Sequence, residues 1–189
     1  AKIDLTGKRR QTNIVVGGTA IGRPYTSGSF SIGGKGRLAY TLGRDDRPAD
    51  VALMRPGRTP LKLTDLNGDL MGQRQMTGAE RITWRSSHDA MMIEGWVMKP
   101  PGFDPAKTYP MILEIHGGPH SAYGPNYSTE AQLFAAAGYV VLYTNPRGST
   151  SYGEQFANEI DLAYPGFDYD DLISGVDAVI NQGYVDPEQ

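Results

Sequence analysis

The sequence contains no cysteine, which excludes disulfide bonds, thiolate catalysis and cysteine-built zinc sites. It also has no apolar run long enough to cross a membrane as a helix. Basic residues are scarce in residues 108–189, which hold only Arg147 beside 11 acidic residues, whereas residues 1–107 hold 17 basic and 10 acidic residues. This uneven charge predicts two separately built units. The net charge of −3 gives no general attraction to nucleic acid or to an anionic membrane.

The first predicted unit, residues 1–75, consists of short strands separated by turns. The alternating apolar runs lie at residues 29–32, 37–42, 51–54 and 61–63. Glycine-rich or polar segments separate them, and such spacing is typical of a sandwich, a barrel or a propeller blade. A single blade cannot bury its own apolar face, so we expect this unit to need neighbouring blades.

The second predicted unit, residues 76–189, changes from a strand pair to alternating strands and helices. We predict strands at residues 82–85, 92–98, 111–115 and 139–144, and helices at residues 131–137, 153–160 and 168–182. Ser128 or Thr129 can cap the first of these helices, and Gly138 can end it. The alternation of strand and helix predicts a mostly parallel sheet with flanking helices.

A glycine turn, His116-Gly117-Gly118-Pro119, directly follows the apolar strand at residues 111–115. Glycines allow a sharp turn that leaves backbone N–H groups facing a ligand. In α/β-hydrolases, a His-Gly-Gly loop at this position helps to build the oxyanion hole. The alternative is an ordinary glycine turn with no catalytic role.

Three blocks of sequence resemble the acylaminoacyl-peptidase branch of the prolyl oligopeptidase family of serine peptidases. They are Gly95–Asp104 with Tyr109–His120, then Ala137–Gly153, then Asp168–Asp177 with Gly183–Glu188. The blocks share the family's order and spacing and cover most of residues 95–189. The resemblance implies the last blade or blades of a β-propeller in residues 1–75. It implies the N-terminal part of an α/β-hydrolase peptidase domain in residues 76–189.

The resemblance also implies a function, which is cleavage of short or acylated peptides through an acyl-enzyme. The position of Gly118 matches the family's backbone oxyanion donor. No metal and no organic cofactor is implied, and the expected partners are short peptide substrates. A homo-oligomer is left open.

The nucleophile is missing from the sequence, since no Gly-x-Ser-x-Gly elbow occurs in it. The resemblance places the Ser, Asp and His of the triad beyond residue 189. We therefore expect these 189 residues to be a fragment, inactive without the rest of its polypeptide. Ser151 and Ser31 each lie in a near-match that has Ser in place of the first glycine, and we reject both as nucleophiles.

The histidines and the isolated arginine have structural alternatives. His116 and His120 have the four-residue spacing of zinc ligands on a helix, but Gly117, Gly118 and Pro119 between them disfavour a helix. We expect His116 to brace its loop by hydrogen bonds. Arg147 either anchors the loop at residues 145–149, or a substrate carbonyl, or forms a structural salt bridge with an acidic residue.

Two other functions remain open at this stage. A carboxylesterase or lipase shares the early glycine loop, although Pro119 replaces a further glycine often found there. A non-catalytic binding protein with a propeller and a degenerate hydrolase domain would lack one of the triad residues.

Overall fold

The computed structural model describes residues 22–188, together with the backbone of residues 2–3 and 9–10. The first 21 residues of the predicted unit 1–75 therefore lie largely outside the described residues. Within the described residues, the strands are β1 (Lys2–Ile3), β2 (Arg9–Arg10), β3 (Phe30–Gly33), β4 (Arg37–Leu42), β5 (Asp50–Met54), β6 (Leu61–Lys62), β7 (Ala79–Arg85), β8 (Met92–Met98), β9 (Met111–Ile115) and β10 (Val140–Asn145). The helices are α1 (Gly68–Met71), α2 (Thr129–Ala136), α3 (Glu154–Asn158) and α4 (Asp168–Ile180).

The strands β3 to β6 form one antiparallel sheet in the order β3-β4-β5-β6, so each strand pairs with the next along the chain. These are the four strands predicted between residues 29 and 63, displaced by one residue at most. Phe30 and Ile32 of the edge strand β3 are 72% and 71% exposed. The sheet thus leaves apolar surface uncovered. That it is a propeller blade stays a prediction.

The second sheet has the order β7-β8-β10-β9. β7, β8 and β10 pair antiparallel, whereas β9 and β10 pair parallel. The sheet is therefore mixed rather than mostly parallel as predicted, because the tight connection at residues 86–91 can only return β8 antiparallel to β7. A mixed sheet of this kind is consistent with part of an α/β-hydrolase domain.

The central strand β10 is buried along its whole length. Its continuous apolar run fits a strand that is covered on both faces. On one face, Val140 and Leu142 pack with Val179 of α4. On the other face, Val141 packs with Ala131 of α2. The two helices therefore enclose the sheet as layers.

The ends of the helices follow the predicted caps. The Oγ atom of Ser128 accepts a hydrogen bond from the N–H of Ala131 at 3.1 Å and begins α2. Gly138, with φ +98°, follows α2, and Gly183, with φ +86°, follows α4. After α4 the chain returns to the sheet, where Val185 forms a parallel bridge to Tyr109 beside β9. Val185 thus lies beside the edge of the sheet that β9 forms.

Hydrogen bonds join the two sheets at the turn between β4 and β5. The carboxylate of Asp45 accepts from the N–H of Ala79 at 2.7 Å. The side chain of Gln132 in α2 donates to the carbonyls of Asp45 and Thr77 at 3.2 and 2.8 Å. In the described part of the chain, no helix has the length and apolar character needed to cross a membrane.

Candidate active site

The glycine turn lies at the carboxyl end of β9, beside the carboxyl end of its parallel neighbour β10. Gly118 is exposed and has φ +128°, a conformation that residues with a side chain rarely adopt. Among residues 22–188, the N–H of Gly118 donates to no acceptor. The turn therefore presents a free backbone donor at the sheet edge where crevices of α/β folds bind their ligands.

The side chain of His116, the first residue of this turn, anchors the turn in the protein interior. Its side chain is buried and lies against the rings of Tyr25 and Tyr123. Its Nε2 atom lies 2.9 Å from the Oγ atom of Ser149, whose hydroxyl donates to the carbonyl of Pro146 at 2.7 Å. Its Nδ1 atom lies 3.3 Å from the carbonyl oxygen of Gly117, so the tautomer of the neutral ring sets which of the two contacts His116 donates to. Burial lowers the pKa of His116, which favours the neutral ring.

The contact between His116 and Ser149 is not a nucleophile and its base. Ser149 is fully buried, and its Oγ atom lies within hydrogen-bond distance of the carbonyl of Pro146 as well as of the imidazole. A nucleophilic serine needs access to substrate and a base that accepts its proton. The pair therefore joins two loops.

His120 makes the second connection between the same loops. Its Nδ1 atom donates to the carbonyl of Gly148 at 3.1 Å. His116 and His120 thus flank the glycine turn and bind neighbouring residues of the loop after β10, rather than converging on one point. Among the described residues, no group of three or more acidic or histidine side chains could hold a metal ion.

Asn145, at the end of β10, fixes the segment that follows the glycine turn. Its side-chain amide accepts from the N–H of Tyr123 at 2.8 Å and donates to the carbonyl of Tyr123 at 2.9 Å. It also donates to the hydroxyl of Tyr152 at 2.8 Å. The sequence pattern did not indicate this role, although a buried Asn at the end of an apolar strand must satisfy its amide group.

Arg147 lies in a buried ion cluster. Its guanidinium donates to both carboxylate oxygens of Asp171 at 2.9 Å, and its backbone N–H donates to Asp171 at 2.8 Å. It also donates to both carboxylate oxygens of Asp89, at 3.0 and 3.2 Å. The structure therefore places Arg147 in the salt bridge that the sequence analysis offered as its structural alternative. The bond to Asp171 raises the pKa of Arg147, and the guanidinium lowers the pKa of Asp89.

Among the described residues, the rejected serines make no side-chain hydrogen bond to a histidine or a carboxylate. Ser151 occupies an exposed turn with φ +81°, and Ser31 is exposed in the edge strand β3. Neither position is a strand-to-helix elbow of the kind that presents a nucleophile. A groove of about 520 Å³ lies elsewhere, between α1, α2 and Pro100–Pro101.

Glu114 is a buried carboxylate in β9, two residues before His116. Burial raises its pKa, while the positive charge of Arg23 opposes this shift. Its Oε2 atom has no hydrogen-bond partner among the described residues. The carboxyl group therefore costs free energy when it ionises inside the fold.

Comparison with known proteins identifies residues 125–189 as matching the prolyl oligopeptidase family. The chain is 39% identical over 150 residues to the uncharacterized peptidase YuxL of Bacillus subtilis (strain 168), which covers 79% of this chain and 23% of that protein. The acylaminoacyl peptidase of Pyrococcus horikoshii superposes with a TM-score of 0.74 at 29% identity, covering 85% of this chain and 25% of that one.

A further solved structure carries a peptide-like ligand. It is an acylaminoacyl peptidase in complex with Z-Gly-Gly-Phe-chloromethyl ketone, with a TM-score of 0.77, 29% identity, and coverage of 85% of this chain and 25% of that one. The chain thus spans about a quarter or less of the length of the proteins it matches. The similarity extends over most of residues 22–188 but only over part of each relative.

Proposed function

The chain belongs to the prolyl oligopeptidase family, and from this premise we propose that it supplies the oxyanion-binding half of a serine peptidase domain. The observation that supports this proposal most is the N–H of Gly118, which lies just beyond the carboxyl end of β9 and donates to no acceptor among residues 22–188. Such a donor stabilises negative charge that develops on a carbonyl oxygen during acyl transfer. Relatives that are peptidases, one of them bound to a peptide-like chloromethyl ketone, support peptides as the substrate class.

The proposed reaction is acyl transfer through a covalent intermediate. A serine hydroxyl outside residues 1–189 attacks the scissile carbonyl carbon and gives its proton to a histidine. The carbonyl oxygen becomes an oxyanion that accepts a hydrogen bond from the N–H of Gly118. Collapse of this intermediate breaks the C–N bond, the amine leaves with the proton from the histidine, and water then hydrolyses the acyl-enzyme.

We propose that the loops around the turn keep this donor in place. His116 and Arg147 do not contact substrate in this proposal. They hold the turn and the loop at residues 145–149 through Ser149 and Asp171. These two residues therefore support the oxyanion site without taking part in the chemistry.

The domain boundaries are also part of the proposal. We propose that residues 1–75 end a β-propeller and that residues 76–189 begin the α/β-hydrolase peptidase domain. The four-stranded antiparallel order β3-β4-β5-β6 supports a blade, and its exposed apolar side chains require neighbours. The free edge of β9, where Val185 begins to pair, supports a continuing parallel sheet.

The test compares two polypeptides, residues 1–189 alone and the longer protein extended to the length of its relatives. We expect a fluorophosphonate probe to label the longer protein and not the shorter one. We also expect the longer protein to hydrolyse acyl-peptide p-nitroanilides.

Hydrolysis of p-nitrophenyl esters without any peptide turnover would indicate an esterase, and absence of both labelling and turnover would indicate a non-catalytic protein. Labelling of residues 1–189 would contradict the assignment of the nucleophile to residues outside them.

A further inference from the structure

The glycine turn is tied at both ends to two consecutive residues of the loop after β10. His116 binds Ser149 at 2.9 Å, and His120 binds Gly148 at 3.1 Å. The N–H of Thr150 also donates to the carbonyl of Ser121 at 2.8 Å. The position of residues 148–150 therefore determines the position of the turn between the two histidines.

The loop after β10 is in turn held from helix α4 by Asp171. Asp171 is 0% exposed and binds the backbone N–H and the guanidinium of Arg147, the residue directly before Gly148. A bidentate contact between a guanidinium and a carboxylate fixes direction as well as distance. The hydrogen bond from the backbone N–H of Arg147 also fixes the main chain, so Asp171 determines the position of the following residues 148 and 149.

The cluster has a second carboxylate with a different role. Asp89, in the turn between β7 and β8, binds the outer side of the guanidinium and is 35% exposed. Among the described residues, Asp89 accepts no hydrogen bond from the backbone of the loop. Asp89 therefore helps to balance the charge of Arg147, whereas Asp171 both balances that charge and orients the loop.

We propose that Asp171 is a positioning residue for the oxyanion-binding turn and acts on Gly118 through Arg147, Ser149 and His116. The inference rests on the proposed function of Gly118 as the oxyanion donor. A positioning role for Asp171 differs from a role in stability alone, because a positioning residue selectively affects the state in which the oxyanion exists. Loss of an oxyanion contact lowers kcat, whereas ground-state binding of the peptide is largely retained.

The experiment replaces Asp171→Asn in the longer protein, with Asp177→Asn as the control. Asp177 is an exposed acid on the same helix, so the control removes the same charge at a site that does not face the loop. The Asn side chain keeps the size of Asp but offers one acceptor in place of two to the guanidinium. We expect kcat for an acyl-peptide p-nitroanilide to fall by about tenfold or more, with KM within about twofold.

A tetrahedral inhibitor separates positioning from stability. A peptidyl trifluoromethyl ketone forms a hemiketal whose oxyanion occupies the hole. For Asp171→Asn we expect its affinity to fall by the same factor as kcat/KM, with rates expressed per fluorophosphonate-labelled site. Unchanged inhibitor affinity, or a loss of labelled sites with normal kcat per site, would overturn the proposal.

Two further measurements keep the proposal testable. Should Asp171→Asn fail to fold, Ser149→Ala removes the contact to His116 and leaves the ion cluster intact. It should lower kcat selectively, and an unchanged kcat overturns the proposal.

Should the unsubstituted protein prove inactive, the proposed function fails by itself. Amide hydrogen exchange at residues 117–121 then decides the positioning claim, with faster exchange expected in Asp171→Asn than in Asp177→Asn, and equal rates contradicting it.

Discussion

Gly118 and Gly117 are adjacent residues with different backbone requirements. Gly118 has φ +128°, whereas Gly117 does not have a positive φ, and a Cβ atom added at Gly117 would meet open space. The requirement for glycine at position 118 thus comes from its conformation, which is the one that exposes its N–H group. The sequence analysis identified this residue from its motif, but not the conformation that sets it apart from Gly117.

We predict that Gly118→Ala in the longer protein lowers kcat by about tenfold to a hundredfold, because a side chain forces this N–H out of position. Gly117→Ala is the matched control and should cost much less. The measurement is the steady-state hydrolysis of an acyl-peptide p-nitroanilide. Equal losses in the two variants would show that the turn is merely crowded and that Gly118 has no special role.

Glu114 gives a prediction about pH. Its pKa is raised by burial, so the folded state binds its proton more tightly than the unfolded state. The free energy of unfolding therefore decreases as the pH rises from about the ordinary pKa of 4.5 through the raised value. Below that window the carboxyl group is protonated in both states and makes no such contribution.

We expect Glu114→Gln to be more stable than the unsubstituted protein at neutral pH, with the difference disappearing below about pH 4. Urea unfolding at several pH values measures this. The exposed Glu154, replaced by Gln, is the control and should show no such pH-dependent gain. A Glu114→Gln protein that is less stable at neutral pH would show that the charged carboxylate has an important partner.

Arg147 shows what can and cannot be read from single residues. Its isolation in an acidic region allowed a structural salt bridge as one alternative to a role in anchoring the loop or a substrate carbonyl, and the structure places it in a salt bridge with Asp171. The partner could not be chosen, because Asp168, Asp170 and Asp171 all favour the start of a helix. Only the packing of α4 on the sheet turns Asp171 inward.

At the scale of elements, the contact between α4 and the second sheet depends on two glycines. The ring of Trp84 in β7 lies between Gly95 of β8 and Gly175 of α4. Its Nε1 atom donates to the carbonyl of Asp171 at 2.9 Å. A Cβ atom at Gly175 would lie 2.6 Å from the Trp84 ring, and one at Gly95 would lie 2.9 Å from it. The close approach of helix and sheet therefore requires glycine.

We predict that Gly175→Ala destabilises the protein by roughly 1–3 kcal/mol, although alanine favours a helix by about 1 kcal/mol over glycine. Thermal unfolding provides the measurement. Adding Trp84→Leu should reduce the cost of Gly175→Ala, because the smaller side chain leaves room. A stabilised Gly175→Ala protein would show that the helix lies further from the sheet than described.

The elements were predicted well where local patterns are strong. The Ser128 cap and Gly138 bounded α2, and the apolar run of β10 identified a buried strand. The short helix α1 was missed because its four residues, Gly68–Met71, have no apolar period to detect. The sheet was expected to be mostly parallel because the strand–helix alternation outweighed the evidence of the hairpin between β7 and β8.

At the scale of the whole molecule, the first sheet has an exposed apolar surface that the proposed neighbouring blades would cover. Phe30 and Ile32 project from one face of the sheet, and Leu61 of β6 is exposed on the opposite face. Isolated apolar side chains on a surface are common, but several on one small sheet indicate a missing contact. Pairing with a distant segment cannot be read from a local pattern, so the sequence indicated a need for neighbours without identifying them.

We predict that hydroxyl-radical footprinting finds Phe30 several-fold less reactive in the longer protein than in residues 1–189 alone. The reason is that neighbouring blades bury its ring. Reactivity of a short peptide containing Phe30 gives the reference for full exposure. Equal reactivity of Phe30 in the two proteins would contradict the propeller proposal and leave the peptidase proposal untouched.

The proposed peptidase chemistry at the carboxyl edge of the second sheet depends on one backbone group, the N–H of Gly118. The most direct measurement is a crystal structure of the longer protein after reaction with a peptidyl phosphonate, whose phosphoryl oxygen takes the place of the oxyanion. We predict that this oxygen lies within hydrogen-bond distance of the N atom of Gly118. An adduct whose phosphoryl oxygen is bound only by other donors, with the N–H of Gly118 turned away, would contradict the account.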